Sequence, residues 1–76
     1  MDTIHIGSCE FSDDLSGESC FTNVRLVDNS IGLCLSLEED GDVEVFLDTV
    51  KCQQLIDWLN AAIAKVKNKK AGENPN

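Results

Sequence analysis

The stretch from residue 31 to residue 47 constrains the fold more than any other part of the chain. Two segments in which apolar and polar residues alternate, 31–37 and 43–47, flank the turn sequence Glu-Glu-Asp-Gly-Asp. Alternation with a period of two is typical of half-buried antiparallel strands, and a slip of one residue would turn every apolar side chain to water. Six apolar side chains are therefore expected to share one face: Leu33, Leu35, Leu37, Val43, Val45 and Leu47.

The turn between these two strands sets their predicted pairing. If Leu37 lies opposite Val43, and Leu35 opposite Val45, residues 39–41 remain as a three-residue loop. Such a loop is a type I turn closed by a residue in the left-handed region, which glycine adopts readily. Gly41 stands at that last position.

Two more strands are expected before this hairpin. Residues 3–11 alternate but change parity at Gly7, which predicts a bulge there that brings the apolar residues on both sides of it to one face. The polar loop 12–19 follows, and in it only Leu15 is able to reach a core. Residues 20–27 form the second strand, and a turn centred on residues 29–30 would place Leu26 opposite Leu33 and Val24 opposite Leu35.

A single helix is predicted after the strands. Asp48 or Thr49 can accept hydrogen bonds from the free amide groups of its first turn. Apolar residues then recur every three or four positions and form one stripe: Cys52, Leu55, Ile56, Leu59, Ile63 and Val66. The predicted fold class is α+β, a four-stranded antiparallel meander with one C-terminal helix packed on one face. Residues 1–70 form the domain, and residues 71–76 are expected to be a disordered tail.

Charge is distributed unevenly along the chain. Residues 1–48 carry twelve acidic and one basic side chain (net −11), whereas residues 49–76 carry two acidic and five basic ones (net +3), which gives −8 in all. Because phosphate contacts need Lys and Arg, this balance argues against direct binding to nucleic acid. It favours a partner with a basic surface, although negative charge can also serve solubility alone.

Catalytic and metal-binding motifs are weak in this sequence, so we expect no enzyme, no cofactor and no metal. The four cysteines contain no Cys-x-x-Cys pair and are expected to be free, mostly buried thiols. An EF-hand loop aligned on Gly41 would need acidic ligands at positions 36 and 47, but these residues are Ser36 and Leu47, so the calcium-binding pattern is not met. His5 lies between two isoleucines, as expected of a strand residue on the outer face.

The expected location is cytoplasmic, in a bacterial or phage-infected host cell. No apolar run is long enough for a membrane span, and the N-terminal residues lack the basic start and apolar block of a secretory signal.

The polar face of the predicted sheet is the candidate partner-binding surface. On the expected register, Cys34 lies opposite Phe46, with Phe21 and Arg25 nearby and carboxylates around them. An apolar centre with a polar rim is typical of protein-binding surfaces. Trp58, beside the helix stripe, is either the margin of the core or an interface anchor. The candidate binding residues are Cys34, Glu38, Asp42, Glu44, Phe46, Asp48 and Trp58.

These observations predict a small acidic protein-binding module rather than an enzyme. In size, charge and lack of catalytic motifs the chain is similar to phage anti-defence and anti-CRISPR proteins and to toxin-immunity proteins, with no shared residues. That resemblance implies an inhibitor or adaptor that docks on a basic surface, such as that of a nuclease or another nucleic-acid-handling protein. The alternative is a homo-oligomeric accessory protein, a homodimer in the simplest case, that pairs through its open sheet face.

Overall fold

The computed structural model describes the backbone of residues 2–73 and the side chains of residues 2–69. Four strands, β1 (Thr3–Ser12), β2 (Ser19–Val27), β3 (Ser30–Leu37) and β4 (Gly41–Leu47), precede one helix, α1 (Thr49–Glu73). The strands lie in the sheet in chain order, each antiparallel to the next. The predicted α+β fold, a four-stranded meander followed by a C-terminal helix, is confirmed.

The β3–β4 hairpin has the predicted faces but not the predicted pairing. Leu35 lies opposite Val43 and Leu33 opposite Val45, so the register differs from the expected one by two residues. A shift of two keeps every side chain on its face, because the strand period is two. The turn spans residues 38–40, and Gly41 opens β4 with a φ of 87°, in the left-handed region as expected.

The β2–β3 hairpin differs from its prediction in the same way. Val24 pairs with Leu33 rather than Leu35, and Leu26 pairs with Ile31. The turn is therefore the tight pair 28–29, and Asp28 takes the left-handed conformation with a φ of 55°. Aspartate tolerates that conformation nearly as well as asparagine does, so the composition of the turn did not distinguish the two registers.

The bulge predicted in β1 is present. His5 pairs with Arg25 and Gly7 pairs with Val24, so Ile6 is the extra residue between them. The insertion resets the alternation of β1. Ile4, Cys9 and Phe11 therefore all lie on one face of the sheet.

Helix α1 begins where the sequence predicts and extends away from the sheet. An Oδ1 atom of Asp48 accepts the backbone N–H of Lys51 at 2.8 Å, so Asp48 is the N-cap. With 25 residues the helix is about 37 Å long. Among the described elements it contacts only β3 and β4, and its half-buried residues, Cys52 and Leu55, belong to its first two turns.

The expectation that the whole apolar stripe covers the sheet is therefore corrected. The later stripe residues, Leu59, Ile63 and Val66, are exposed. A stripe specifies that one side of a helix needs apolar contacts, but it does not specify which surface provides them. The helix also continues to Glu73, into the segment predicted as a tail, and residues 74–76 of that segment lie outside the described residues.

The resulting chain is extended and has almost no interior. Its radius of gyration is 15.7 Å, whereas a compact domain of this length has about 11 Å. Cys20 is the one buried apolar side chain in the described part of the chain. Within that part, α1 lacks the length of apolar sequence that crossing a membrane requires.

Candidate protein-binding surfaces

The sheet has two faces of opposite character, and both are accessible. The apolar face is centred on two residues from each of β2, β3 and β4: Val24, Leu26, Leu33, Leu35, Val43 and Val45. The polar face is centred on the residues that alternate with them: Asn23, Arg25, Gly32, Cys34, Glu44 and Phe46. Because adjacent positions of one strand point to opposite sides, three short segments build both surfaces.

An ion pair with two hydrogen bonds occupies the centre of the polar face. Arg25 donates from Nε to Oε2 of Glu44 at 2.7 Å and from Nη2 to Oε1 at 2.6 Å. These hydrogen bonds hold the pKa of Glu44 below its ordinary value and raise the pKa of Arg25. The guanidinium carbon of Arg25 also lies 5.8 Å from the centre of the Phe46 ring, within the range of a cation–π contact.

Gly32 makes this arrangement possible. It lies between Arg25 on β2 and Phe46 on β4 in the cross-strand row, and it is buried beneath their side chains. A Cβ atom at Gly32 would lie 3.1 Å from Glu44 Oε2, 3.1 Å from Phe46 Cε1 and 3.3 Å from Arg25 Cγ. Glycine within a strand often marks such a close approach, which is the signal that could have identified this residue from sequence.

The structure changes the predicted neighbours on this face. Phe46 lies opposite Gly32, and Cys34 lies opposite Glu44, so the expected pair of Cys34 and Phe46 is wrong. The two-residue shift of the β3–β4 register is the cause. Arg25 does lie beside Phe46, as the sequence indicated.

The other predicted binding residues have separate positions. Asp42 accepts a hydrogen bond from the Ser36 hydroxyl, and Asp48 is engaged in capping α1. Glu38 lies at the far end of the sheet, in the β3–β4 turn. Trp58 is 62% exposed on α1, so the sheet does not cover it and it is not the margin of a core in this chain.

Two loops meet at one end of the sheet and form what we call the acidic end. The backbone N–H of Glu39 donates to Oε2 of Glu18 at 2.8 Å, and that of Glu38 donates to the carbonyl of Ser19 at 3.1 Å. The acidic end carries six carboxylates: Asp13, Asp14, Glu18, Glu38, Glu39 and Asp40. Sequence reasoning missed Asp13, Asp14, Glu18, Glu39 and Asp40 as a group, although a meander necessarily places its first and third connections at the same end.

The β1–β2 loop is held in a fixed conformation by Asp13. Its Oδ2 atom accepts the backbone N–H groups of Leu15 at 3.1 Å and Ser16 at 2.8 Å, and these bonds lower the pKa of Asp13. The loop closes through Asp13 N–H to the Glu18 carbonyl at 2.8 Å. Leu15 is 97% exposed at the tip of this loop, so the expectation that it reaches the core is wrong.

A shallow groove lies beside the acidic end, with a volume of ≈ 330 Å³. Phe21 contributes an aromatic ring to it, and Glu10 and Glu38 contribute carboxylates. An aromatic ring with carboxylates around it can hold a Lys or Arg side chain, whose stem packs on the ring while its charged head meets the acids.

The cysteines differ in exposure, and they are also potential metal ligands. The four cysteines are free: Cys20 is buried, Cys34 and Cys52 are half-buried, and Cys9 is exposed. Among residues 2–69 no three His, Cys, Asp or Glu side chains are grouped closely enough to hold a metal ion.

The geometry thus provides a rigid polar face, an acidic end with an exposed leucine, and an uncovered apolar face. The acidic end and the groove can bind cationic side chains, whereas the apolar face can only bind apolar ones. Comparison with protein-family models, with curated proteins and with solved structures gave no significant match.

Proposed function

We propose that this chain is a small protein-binding module, an inhibitor or adaptor, that docks through its acidic end on a basic surface of another protein. A nuclease or another nucleic-acid-handling protein is the kind of partner that carries such a surface. The observation that carries the proposal is the concentration of six carboxylates around two adjoining loops.

The charge of the acidic end is not neutralised within the sheet. Arg25 is the only basic residue before position 49, and it is bound to Glu44 on the polar face. The five lysines all belong to α1, and α1 starts at the opposite end of the sheet because β4 leads away from the acidic end. An uncompensated field of this kind speeds encounter with a cationic surface and suppresses association with anionic partners.

The exposed Leu15 gives the acidic end an apolar centre. Protein interfaces combine a desolvated apolar contact with a polar rim, and the loop of Leu15 also carries the carboxylates of Asp13, Asp14 and Glu18. Because Asp13 fixes the loop through two backbone hydrogen bonds, little conformational entropy is lost when Leu15 enters a pocket of a partner.

The same charges favour a protein partner over nucleic acid. Phosphate contacts need several accessible cations, and the acidic end has none among its six ionisable residues. A basic protein surface that ordinarily meets phosphates supplies the complementary charge, which is why a nucleic-acid-handling protein is proposed.

The test is affinity capture from host cells with the full chain and two charge-matched double variants. Glu39→Lys/Asp40→Lys reverses two charges at the acidic end, and Asp2→Lys/Asp57→Lys reverses two elsewhere. The proposal predicts one partner that the wild type and the Asp2/Asp57 control both capture and that the Glu39/Asp40 variant loses, with affinity reduced by about tenfold or more. Binding should also weaken as salt concentration rises.

A second variant separates the apolar contact from the charge. Leu15→Ser keeps all six carboxylates and should weaken the same interaction without changing its salt dependence. Equal capture of the partner by the wild type and by the Glu39/Asp40 variant, indifferent to salt, would contradict the proposal.

A further inference from the structure

We propose that the apolar face of the sheet and the apolar stripe of α1 are buried against a second copy of this chain. The inference goes beyond the proposed docking function, because it uses neither the acidic end nor the polar face. It also differs from a dimer formed through the polar face, since the surfaces that lack contacts in this structure are the apolar ones.

The accessible surface area of the chain supports a second copy as the binding partner of these apolar surfaces. The accessible surface is 6179 Å², whereas a compact monomer of 8.3 kDa exposes about 4,600 Å². The excess is about 1,600 Å² per chain, or about 3,200 Å² for two chains, which lies within the range of about 2,000–5,000 Å² buried in obligate homodimers. The excess surface therefore has the size of an interface that a second copy of the chain would bury.

The two uncovered surfaces are complementary but do not meet within one chain. Val45, on the apolar face, is 48% exposed, and Ile63, on the helix stripe, is 50% exposed. Among the helix residues 49–69, whose side chains the structure describes, only those in the first two turns are half-buried. In a two-fold dimer, the stripe of each copy can lie on the apolar face of the other, because a two-fold axis makes each such contact occur twice.

Charge favours the same arrangement. Residues 1–48 carry a net charge of −11 and residues 49–76 one of +3, so the sheet of one copy attracts the helix of the other. The exposed lysines Lys65, Lys67 and Lys69 lie beyond the part of α1 that contacts its own sheet. Self-association through the polar face is less favourable, because Arg25 and Glu44 already form an ion pair with each other within one chain.

The first measurement is the mass of the wild-type chain by sedimentation equilibrium over a wide range of concentrations. The proposal predicts twice the chain mass, falling to the chain mass only on dilution. It also predicts that the midpoint of thermal unfolding rises with chain concentration, because dimerisation stabilises the folded chain by mass action. A chain mass at every concentration, with intact helix and a concentration-independent midpoint, would overturn it.

Two neighbouring substitutions locate the interface. Val45→Asp and Phe46→Asp introduce the same charge at adjacent positions of β4 with nearly equal exposure, 48% and 52%, but on opposite faces. Val45→Asp should weaken the dimer by roughly thirtyfold or more, as loss of a central interface contact does. Phe46→Asp should change dimer affinity by less than about threefold, a change too small for a lost interface contact. The reverse order of effects would assign the dimer to the polar face and overturn the proposal.

A third measurement uses only wild-type chains, so a variant that fails to fold does not leave the question open. In a mixture of ¹³C-labelled and unlabelled chains, isotope-filtered nuclear Overhauser effects report contacts between copies only. Methyl groups of Leu59 and Ile63 should show such effects to Leu35 and Val45. If these contacts occur only within one chain, α1 folds back on its own sheet and the proposal is wrong.

Discussion

The polar and apolar faces of the sheet use neighbouring residues of the same three strands, yet they differ in how far one chain completes them. On the polar face, Arg25 contacts both Glu44 and Phe46 above Gly32, so these side chains find their partners within the sheet. On the apolar face the side chains have the right alternation, but Leu35, Val43 and Val45 remain exposed. The comparison shows that alternation groups side chains without providing the layer that covers them.

This difference separates two kinds of surface. The polar face and the acidic end are organised before any partner arrives, through hydrogen bonds of 2.6–3.1 Å. Such pre-organisation suits selective recognition, since less entropy is lost on binding. The apolar face gains its stability only when a second surface excludes water from it.

The largest expected effect comes from truncating the centre of the apolar face. Leu35→Ala should lower the free energy of unfolding by about 2–5 kcal/mol, because in the proposed dimer a second copy buries Leu35 and the truncation leaves a cavity. Denaturant unfolding at several chain concentrations measures this loss. Phe46→Ala, on the other face, is the control and should show a smaller, concentration-independent change. A loss below about 1 kcal/mol for Leu35→Ala would show that this face stays solvated.

An intermediate effect is expected from filling the space beneath the polar face. Gly32→Val should lower the free energy of unfolding by about 1–3 kcal/mol, since the new side chain displaces Glu44 and Phe46. Thermal unfolding measures the change. Gly7→Val is the control, because a Cβ atom there meets nothing within 4 Å. Equal stability of the two variants would mean that Arg25, Glu44 and Phe46 do not form a packed group.

The smallest expected effect is the pH dependence of the Arg25–Glu44 pair. The lowered pKa of Glu44 means that its contribution to stability is present above the ordinary carboxyl value of about 4.3 and is lost as the pH falls through the lowered value. The unfolding midpoints of the wild type and Glu44→Gln should thus differ at neutral pH and converge in acid. High salt should reduce the neutral-pH difference, and a difference that grows in acid would contradict the assignment.

Several elements of the fold follow from the sequence because they depend on parity or on local turn and capping chemistry. The shared face of Leu33 and Val45, the bulge before Gly7, the left-handed Gly41 and the start of α1 at Asp48 all agree with prediction. The predicted strand pairing does not agree, because a register shift of two residues leaves parity unchanged. The predicted neighbour of Phe46, Cys34, is wrong for that reason.

The position of α1 and the grouping of the acidic end depend on information beyond periodicity. The stripe that includes Ile63 was expected to lie on its own sheet. Helical periodicity, however, does not identify which surface, or which chain, provides the contacts of an apolar stripe. The acidic end could have been predicted by combining loop composition with meander topology. The exposure of Leu15 could not, because it results from backbone hydrogen bonds to a single Asp13 oxygen.

The extra residue in β1 has a consequence for how copies of this protein can assemble. In the order β1-β2-β3-β4, the outer strands are β1 and β4, and unpaired backbone groups there invite an additional strand. At Ile6 the insertion interrupts the regular spacing that edge-to-edge pairing requires, which disfavours the addition of a strand along the whole length of β1. β4 pairs with β3 without a register shift, so its outer edge keeps the regular spacing and is the edge better suited to strand addition.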